Sequence, residues 1–313
     1  MQQMWSNLRI GIIGQGSQYN RISKILKSKR LKFTIYKPSR NTNYYNKKKF
    51  DKLKKCNVVF ILSPNDTHFE YIKLLKNNRY IFCEKPPVNK LHDLKKLKRI
   101  KSNKIYFNYN FRFSKISELL GKIKKFHLKE LLYASITTGH GLGFKKDYSK
   151  SWRSNRKICK KGVFEIVSIH WVDLINYHFD IKKIQNLNLR NYIKNTNGID
   201  NSYCKIYLKN KSEVDIFSSY TSPLIKRMIF IFENGIIEQN DNFIEIRGPA
   251  INLDKNNFFK KPKLIKKINL NDNKDYILSL EKSVIYFLNH ALNNKNFSKE
   301  HLKKSLISNS FII

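Results

Sequence analysis

Over the first third of the chain, short continuously apolar runs alternate with amphipathic stretches. Leu8-Arg9-Ile10-Gly11-Ile12-Ile13, Lys32-Phe33-Thr34-Ile35-Tyr36, Val58-Val59-Phe60-Ile61-Leu62, Tyr80-Ile81-Phe82-Cys83 and Ile105-Tyr106-Phe107-Asn108 are short and rich in β-branched and aromatic residues, as strands are. Between them, Ile22, Ile25 and Leu26, then Phe69, Ile72, Leu74 and Leu75, then Leu91, Leu94 and Leu97 recur at helical spacing. Strands without polar alternation are buried on both faces, and strands alternating with helices predict a parallel, doubly wound sheet. The domain predicted in this way covers residues 1–112.

Beyond it the pattern changes. Leu131 to Thr138, Tyr203 to Leu208, Glu213 to Tyr220, Met228 to Glu233, Ile236 to Gln239 and Phe243 to Arg247 alternate or carry β-formers. Turn residues such as Lys209-Asn210-Lys211 and Glu233-Asn234-Gly235 separate several of them, which predicts an antiparallel meander. Val163 to Tyr177 and Tyr276 to Asn289 read as helices, the tail from Lys299 begins as another, and the Lys- and Asn-rich stretch 254–275 reads as irregular. The fold class is therefore α/β, a doubly wound parallel sheet followed by a second α/β domain over residues 113–313.

Composition adds a basic character. The formal charge is +39, with lysines in almost every block of ten rather than in one patch or arm. A nucleic-acid footprint is usually a cluster or a recognisable module, so the sequence predicts neither DNA nor RNA as a partner. The abundance of Lys, Asn, Ile, Tyr and Phe, with alanine only at three positions, follows from A/T-rich codons instead. Cys56, Cys83, Cys159 and Cys204 lack metal-ligand spacing, so no metal is expected. No apolar run is long enough to cross a membrane and the amino terminus lacks a signal peptide's core, which predicts a cytoplasmic protein with no membrane partner.

Candidate chemistry gathers at the carboxyl ends of the early strands, where open α/β sheets bind their ligands. The first strand breaks at Gly14-Gln15-Gly16-Ser17-Gln18 and a helix follows, an order that lets backbone approach a pyrophosphate and aims a helix amino terminus at it. Tyr19 stands where a third glycine is usual. The second strand ends in Lys37-Pro38-Ser39-Arg40 without a carboxylate for a ribose hydroxyl, so Ser39 and Arg40 point to the 2′-phosphate of NADP, with NAD as the alternative. The fourth strand delivers Glu84 and Lys85 into Pro86 and Pro87, and proline holds the residue before it extended.

The chain resembles the Gfo/Idh/MocA family of NAD(P)-dependent oxidoreductases. The likeness lies in GIIGQGS (Gly11 to Ser17), SPNDTH (Ser63 to His68), CEKP (Cys83 to Pro86), NYNFRFS (Asn108 to Ser114), SWR (Ser151 to Arg153) and SIHWVD (Ser168 to Asp173), in the family's order. It implies a Rossmann domain and a second domain whose open, mainly antiparallel sheet serves as an oligomer interface, hence a homodimer or homotetramer. It also implies Lys85 and His170 as the proton-handling pair. Gly14, Gly16, Ser17, Gln18, Ser63, Pro64, Asn65, His68, Glu84, Lys85, Asn108, Trp152 and Arg153 are the implied cofactor residues, beside Ser39 and Arg40. Arg112, Glu165 and Asp173 are implied for the substrate, a sugar or nucleotide-linked sugar, and a cis bond is expected before Pro86. The chain departs from the family at Ile166, where a carboxylate four residues before the histidine is usual. A helix turns about 100° per residue, so neighbouring Glu165 would need a shift in phase to replace it. The alternative to an enzyme is a sensor or scaffold that binds the cofactor without catalysis.

Overall fold

The structure is a computed structural model that describes residues 5, 7–38, 47–77, 79–100, 102–249 and 253–313, with backbone only at 47–49. Ser39 and Arg40 lie outside the described residues. The chain forms two compact units, residues 1–110 with 279–311 and 313, and residues 111–278 with 312. The expected division at 112/113 thus differs at the far end, because the carboxy-terminal helices belong to the first unit.

In the first unit, β1 (Ile10–Ile13), β2 (Phe33–Tyr36), β3 (Val58–Ile61), β4 (Tyr80–Glu84) and β5 (Ile105–Asn108) form one parallel sheet in the order β2-β1-β3-β4-β5. The order reverses between β1 and β3, a switch point that opens a crevice at the strands' carboxyl ends. Helices α1 (Ser17–Ser28), α2 (Lys47–Lys54), α3 (His68–Leu75) and α4 (Leu91–Lys98) connect the strands. All residues of β1, β3, β4 and β5 are buried, which is why these runs lack polar alternation. Ring centroids of Phe60 and Phe82 are 4.8 Å apart, and each lies 5.3 Å from Phe287 on a returning helix. Phe297 stacks on Phe287 at 5.9 Å, so the last part of the chain supplies one wall of this aromatic core.

The second unit contains α5 (Lys115–Leu120), β6 (Leu131–Gly139), α6 (Ile169–His178), and strands β7 (Ile181–Arg190), β8 (Asn201–Leu208), β9 (Glu213–Ser219), β10 (Ile225–Phe232), β11 (Gly235–Gln239), β12 (Phe243–Arg247) and β13 (Leu264–Asn269). Together the strands make an eight-stranded sheet ordered β13-β12-β11-β10-β6-β9-β8-β7, antiparallel except for the β6–β9 pair. Helix α6 lies against one face through Trp171, whose indole N–H donates to Thr138 Oγ1 at 3.1 Å. Ser168 reinforces the contact by donating to Ser218 Oγ at 2.8 Å. On the opposite face Tyr133 and Tyr203 both donate to Asp215, at 2.8 and 2.7 Å, and stay partly exposed. Strands β7 and β13 were not expected from the sequence, and both are sheet edges. Helix α7 (Asp272–Leu292) returns the chain to the first unit, where α8 (Lys299–Ser310) follows.

Candidate active site

The glycine turn after β1 is shaped by contact rather than by composition. Gly14 has φ +98°, and a Cβ there would stand 2.8 Å from Leu62 carbonyl atoms and the Ser63 amide, so only glycine fits. A Cβ at Gly16 would meet nothing within 4 Å, which leaves that side of the turn open. Gly16 caps α1 with no side-chain hydrogen bond, and the first turn, with Ser17 and Gln18, has no acidic residue. These are the features a pyrophosphate requires: an unobstructed backbone and unclaimed amides at a helix's positive end. The residues present therefore fit a dinucleotide.

At the end of β4 the turn through Lys85 is anchored on every side. Glu84, 6% exposed, accepts from Asn108 Nδ2 at 2.6 Å and from Gln18 Nε2 at 3.3 Å, which ties β4 to β5 and to the glycine turn. Burial raises the Glu84 carboxyl pKa, opposed by the Asn108 and Gln18 bonds and by the Lys85 charge. Asn108 Oδ1 in turn accepts from Ser283, whose hydroxyl also meets Tyr106 at 2.7 Å. The Lys85–Pro86 bond is cis, as expected. Beyond it, the Asn309 amide accepts from Val88 N at 3.0 Å and donates to Val88 O at 3.1 Å. Lys85 itself is half-buried.

Two of the expected cofactor residues have other work in the fold. Asn108 is fully buried between Glu84 and Ser283, so it supports the β4 turn from behind. His68 is fully buried too, with Nδ1 2.9 Å from Pro86 O and Nε2 2.9 Å from Ser63 O. Burial lowers its pKa, against the raising effect of both carbonyls and of Asp66. Ser63 and Thr67 share a 2.6 Å hydroxyl contact, while Pro64 is exposed and Asn65 half-buried at the loop surface. Asn309 had no signal in the sequence, since an isolated asparagine in a helical tail does not reveal which turn it will reach.

In the second unit, Arg112 and Asp173 are brought together as an ion pair. The guanidinium Nε and one terminal nitrogen donate to the two carboxylate oxygens at 2.7 and 2.6 Å, with the side chains 2% and 1% exposed. A two-point buried ion pair engages both oxygens of Asp173 and the matching edge of Arg112, which gives the pair a structural role in the fold. His170 lies one turn before Asp173, half-buried, with its ring 4.4 Å from that of Phe111 in a stack.

The stretch before α6 is not α-helical. Phe164–Ser168 forms a π-helical turn, in which the Ile169 amide bonds to Phe164 O. In such a turn residue i+5, rather than i+4, follows over residue i. This supplies a phase shift that a regular helix would deny Glu165. Glu165 is 7% exposed and accepts from Lys161 N at 3.4 Å. Burial, and then the Glu165 charge, push the Cys159 pKa well up. Trp152 and Arg153 form a half-buried pair, with the guanidinium 4.4 Å from the indole centroid. Among the described residues no cluster of His, Cys, Asp or Glu could hold a metal ion, and no helix is long and apolar enough to cross a membrane.

Comparison with known proteins gives the same reading of the first unit. Residues 15–107 match the profile of GFO_IDH_MocA, described as an oxidoreductase family with an NAD-binding Rossmann fold. No curated protein sequence matches the chain. Among solved structures, a dehydrogenase from Clostridium difficile is 18% identical with a TM-score of 0.70, covering 98% of this chain and 99% of its own. Levoglucosan dehydrogenase in complex with NADH is 13% identical with a TM-score of 0.76, covering 97% and 95%. A myo-inositol dehydrogenase from Corynebacterium glutamicum is 13% identical with a TM-score of 0.70, covering 97% and 94%. At such identities the structural likeness is one of fold. With the match over residues 15–107, the glycine turn and the Glu84-Lys85-Pro86 turn make the first unit similar to the NAD-binding Rossmann domain of the Gfo/Idh/MocA oxidoreductase family.

Proposed function

We propose that the protein is a nicotinamide-dependent oxidoreductase that moves a hydride between the cofactor and a hydroxyl-bearing carbon of a sugar or polyol. The observation that carries this reading is the anchored Lys85 turn: a half-buried lysine at a parallel strand's carboxyl end, hydrogen-bonded through Glu84 to the glycine turn. Gly14, Gly16, Ser17 and Gln18 would hold the pyrophosphate, and the bound cofactor would supply the hydride acceptor or donor. Lys85 would polarise the substrate oxygen or exchange its proton, and His170 would serve as the second proton-handling group. Glu165 is the carboxylate proposed for the substrate, supported by its burial and by the π-helical turn that carries it. The dehydrogenases of like fold, among them those for levoglucosan and myo-inositol, support a polyhydroxylated substrate.

NADP is the proposed cofactor over NAD, on the strength of Ser39 and Arg40 and the missing carboxylate after β2. The partly exposed face of the eight-stranded sheet is proposed to pair with a second copy, giving a homo-oligomer in the cytoplasm. The direct test is turnover across a panel of sugars and polyols with each dinucleotide. Reduction of NADP in preference to NAD, lost in Lys85→Ala and His170→Ala, is the expected result. Preference for NAD would overturn the Ser39 and Arg40 assignment. Dinucleotide binding without turnover on any substrate would favour the sensor reading, which Ile166 and Tyr19 support.

A further inference from the structure

We propose that His68 is a positioning residue, whose imidazole ties the Ser63–Thr67 loop to the Lys85 turn and does so more firmly when protonated. The role of Lys85 rests on the proposed function, whereas the tie itself does not. Its basis is that both ring nitrogens face acceptors, Nδ1 at 2.9 Å from Pro86 O and Nε2 at 2.9 Å from Ser63 O. A neutral imidazole has one N–H, so it donates to one carbonyl while its other nitrogen turns a lone pair towards the second. The imidazolium donates to both.

Beyond the β3–β4 pairing that ends at Ile61 and Cys83, each of the two segments has braces of its own. On one side, Ser63 Oγ meets Thr67 Oγ1, and Thr67 Oγ1 donates to Pro64 O at 2.7 Å, which stiffens the loop on itself. On the other, Glu84 is fixed by Gln18 and Asn108, and Val88 by Asn309. Lys85 stands between Glu84 and Pro86, so its backbone has the Glu84 anchor before it and the His68 anchor directly after it. The ring is fully buried, leaving no water to replace a lost partner. Ser63, Pro86 and Pro87, whose backbones close on the ring, are not titratable, and Asp66 is the charged group acting on it. Burial keeps the ring neutral at neutral pH, and acidification adds the second bond. Displacing a reacting group by about 1 Å can lower turnover roughly 100-fold, so a tie of this kind bears on rate without touching the substrate.

Two measurements test the proposal. In ¹⁵N-histidine NMR of the full-length protein, His68 should carry one protonated nitrogen at neutral pH and two after acidification, and the amide resonances of Lys85 and Val88 should shift with the same midpoint. On a substrate that wild type turns over, His68→Phe should lower kcat about 10- to 100-fold while leaving the cofactor KM within about twofold, by the same positioning argument. His68→Gln, which keeps one donor, should recover part of kcat but lack the His68 inflection in the pH profile. A folded His68→Phe enzyme with wild-type kcat and pH profile would overturn the proposal. So would a His68 titration that leaves Lys85 and Val88 unmoved. Should wild type turn over no substrate, the proposed function fails while the NMR titration still decides the tie; should His68→Phe not fold, His68→Gln decides the kinetics.

Discussion

The two units hold their candidate chemistry in contrasting ways. Around Lys85 the backbone is pinned by neighbours far apart in sequence, Gln18, His68, Asn108 and Asn309, and each contact is a hydrogen bond to a buried group. Around His170 the local helix is irregular, the ring rests on Phe111, and the ion pair one turn away is closed on itself. The first arrangement fixes a position through many modest bonds. The second concentrates its strength in one buried pair and leaves the preceding turn unusually wound. Fixing a reacting lysine calls for the former, because misplacement is penalised in rate. A π turn departs from regular helix geometry and is frequent at functional sites.

The largest expected effect separates chemistry from scaffold. Lys85→Ala should reduce kcat by about 100- to 10,000-fold, the usual worth of a proton-handling group, with its thermal midpoint near wild type. Asp173→Ala should do the reverse, destabilising the fold by about 3–5 kcal/mol because it strands a buried guanidinium, as read by denaturant unfolding. If Asp173→Ala instead left stability unchanged and abolished substrate binding, the contrast between the regions would collapse. Asn309→Ala should cost about 1–3 kcal/mol, since it leaves the Val88 amide and carbonyl buried without their partners, and hydrogen exchange at Val88 should report it.

The smallest expected effect is one of pH. Glu84 has a folded-state pKa above its ordinary value, so folded protein holds a proton that unfolded chain has released over the interval between the two. Its contribution to stability is present below the ordinary glutamate pKa and is lost as pH rises through the raised one. Urea unfolding followed across that interval should show the decline, and Glu84→Gln should flatten it. A slope unchanged in Glu84→Gln would assign the pH dependence elsewhere. For the glycine turn, Gly14→Ala should disturb folding through its collision with Leu62 and Ser63, while Gly16→Ala should fold normally and lose dinucleotide affinity.

Much of the first unit was legible because a strand buried on both faces writes itself as an uninterrupted apolar run. The cis bond and the placement of Glu84 beside the glycine turn also agree with the motifs. What escaped notice has physical reasons. Strands β7 and β13 lie at the edges of their sheet, mostly exposed, and carry no alternation to read. The π turn at 164–168 changes the angular step that any helical-face argument assumes. Arg112 and Asp173 were each identified as chemically significant, but only the fold could show that they satisfy one another. Asn108 and His68 belong to recognisable motifs, and a motif reports that a residue is required without telling whether it faces the ligand or braces what does.

Because α7 and α8 complete the first unit, strands made earlier in synthesis wait for residues made later. Until Phe287 and Phe297 arrive, Phe60, Phe82 and Tyr106 have no aromatic wall on that side, and Val88 has no Asn309. A chain cut before residue 279 would therefore lack both the aromatic packing on Phe60 and Phe82 and the Asn309 anchor of the turn that carries Lys85.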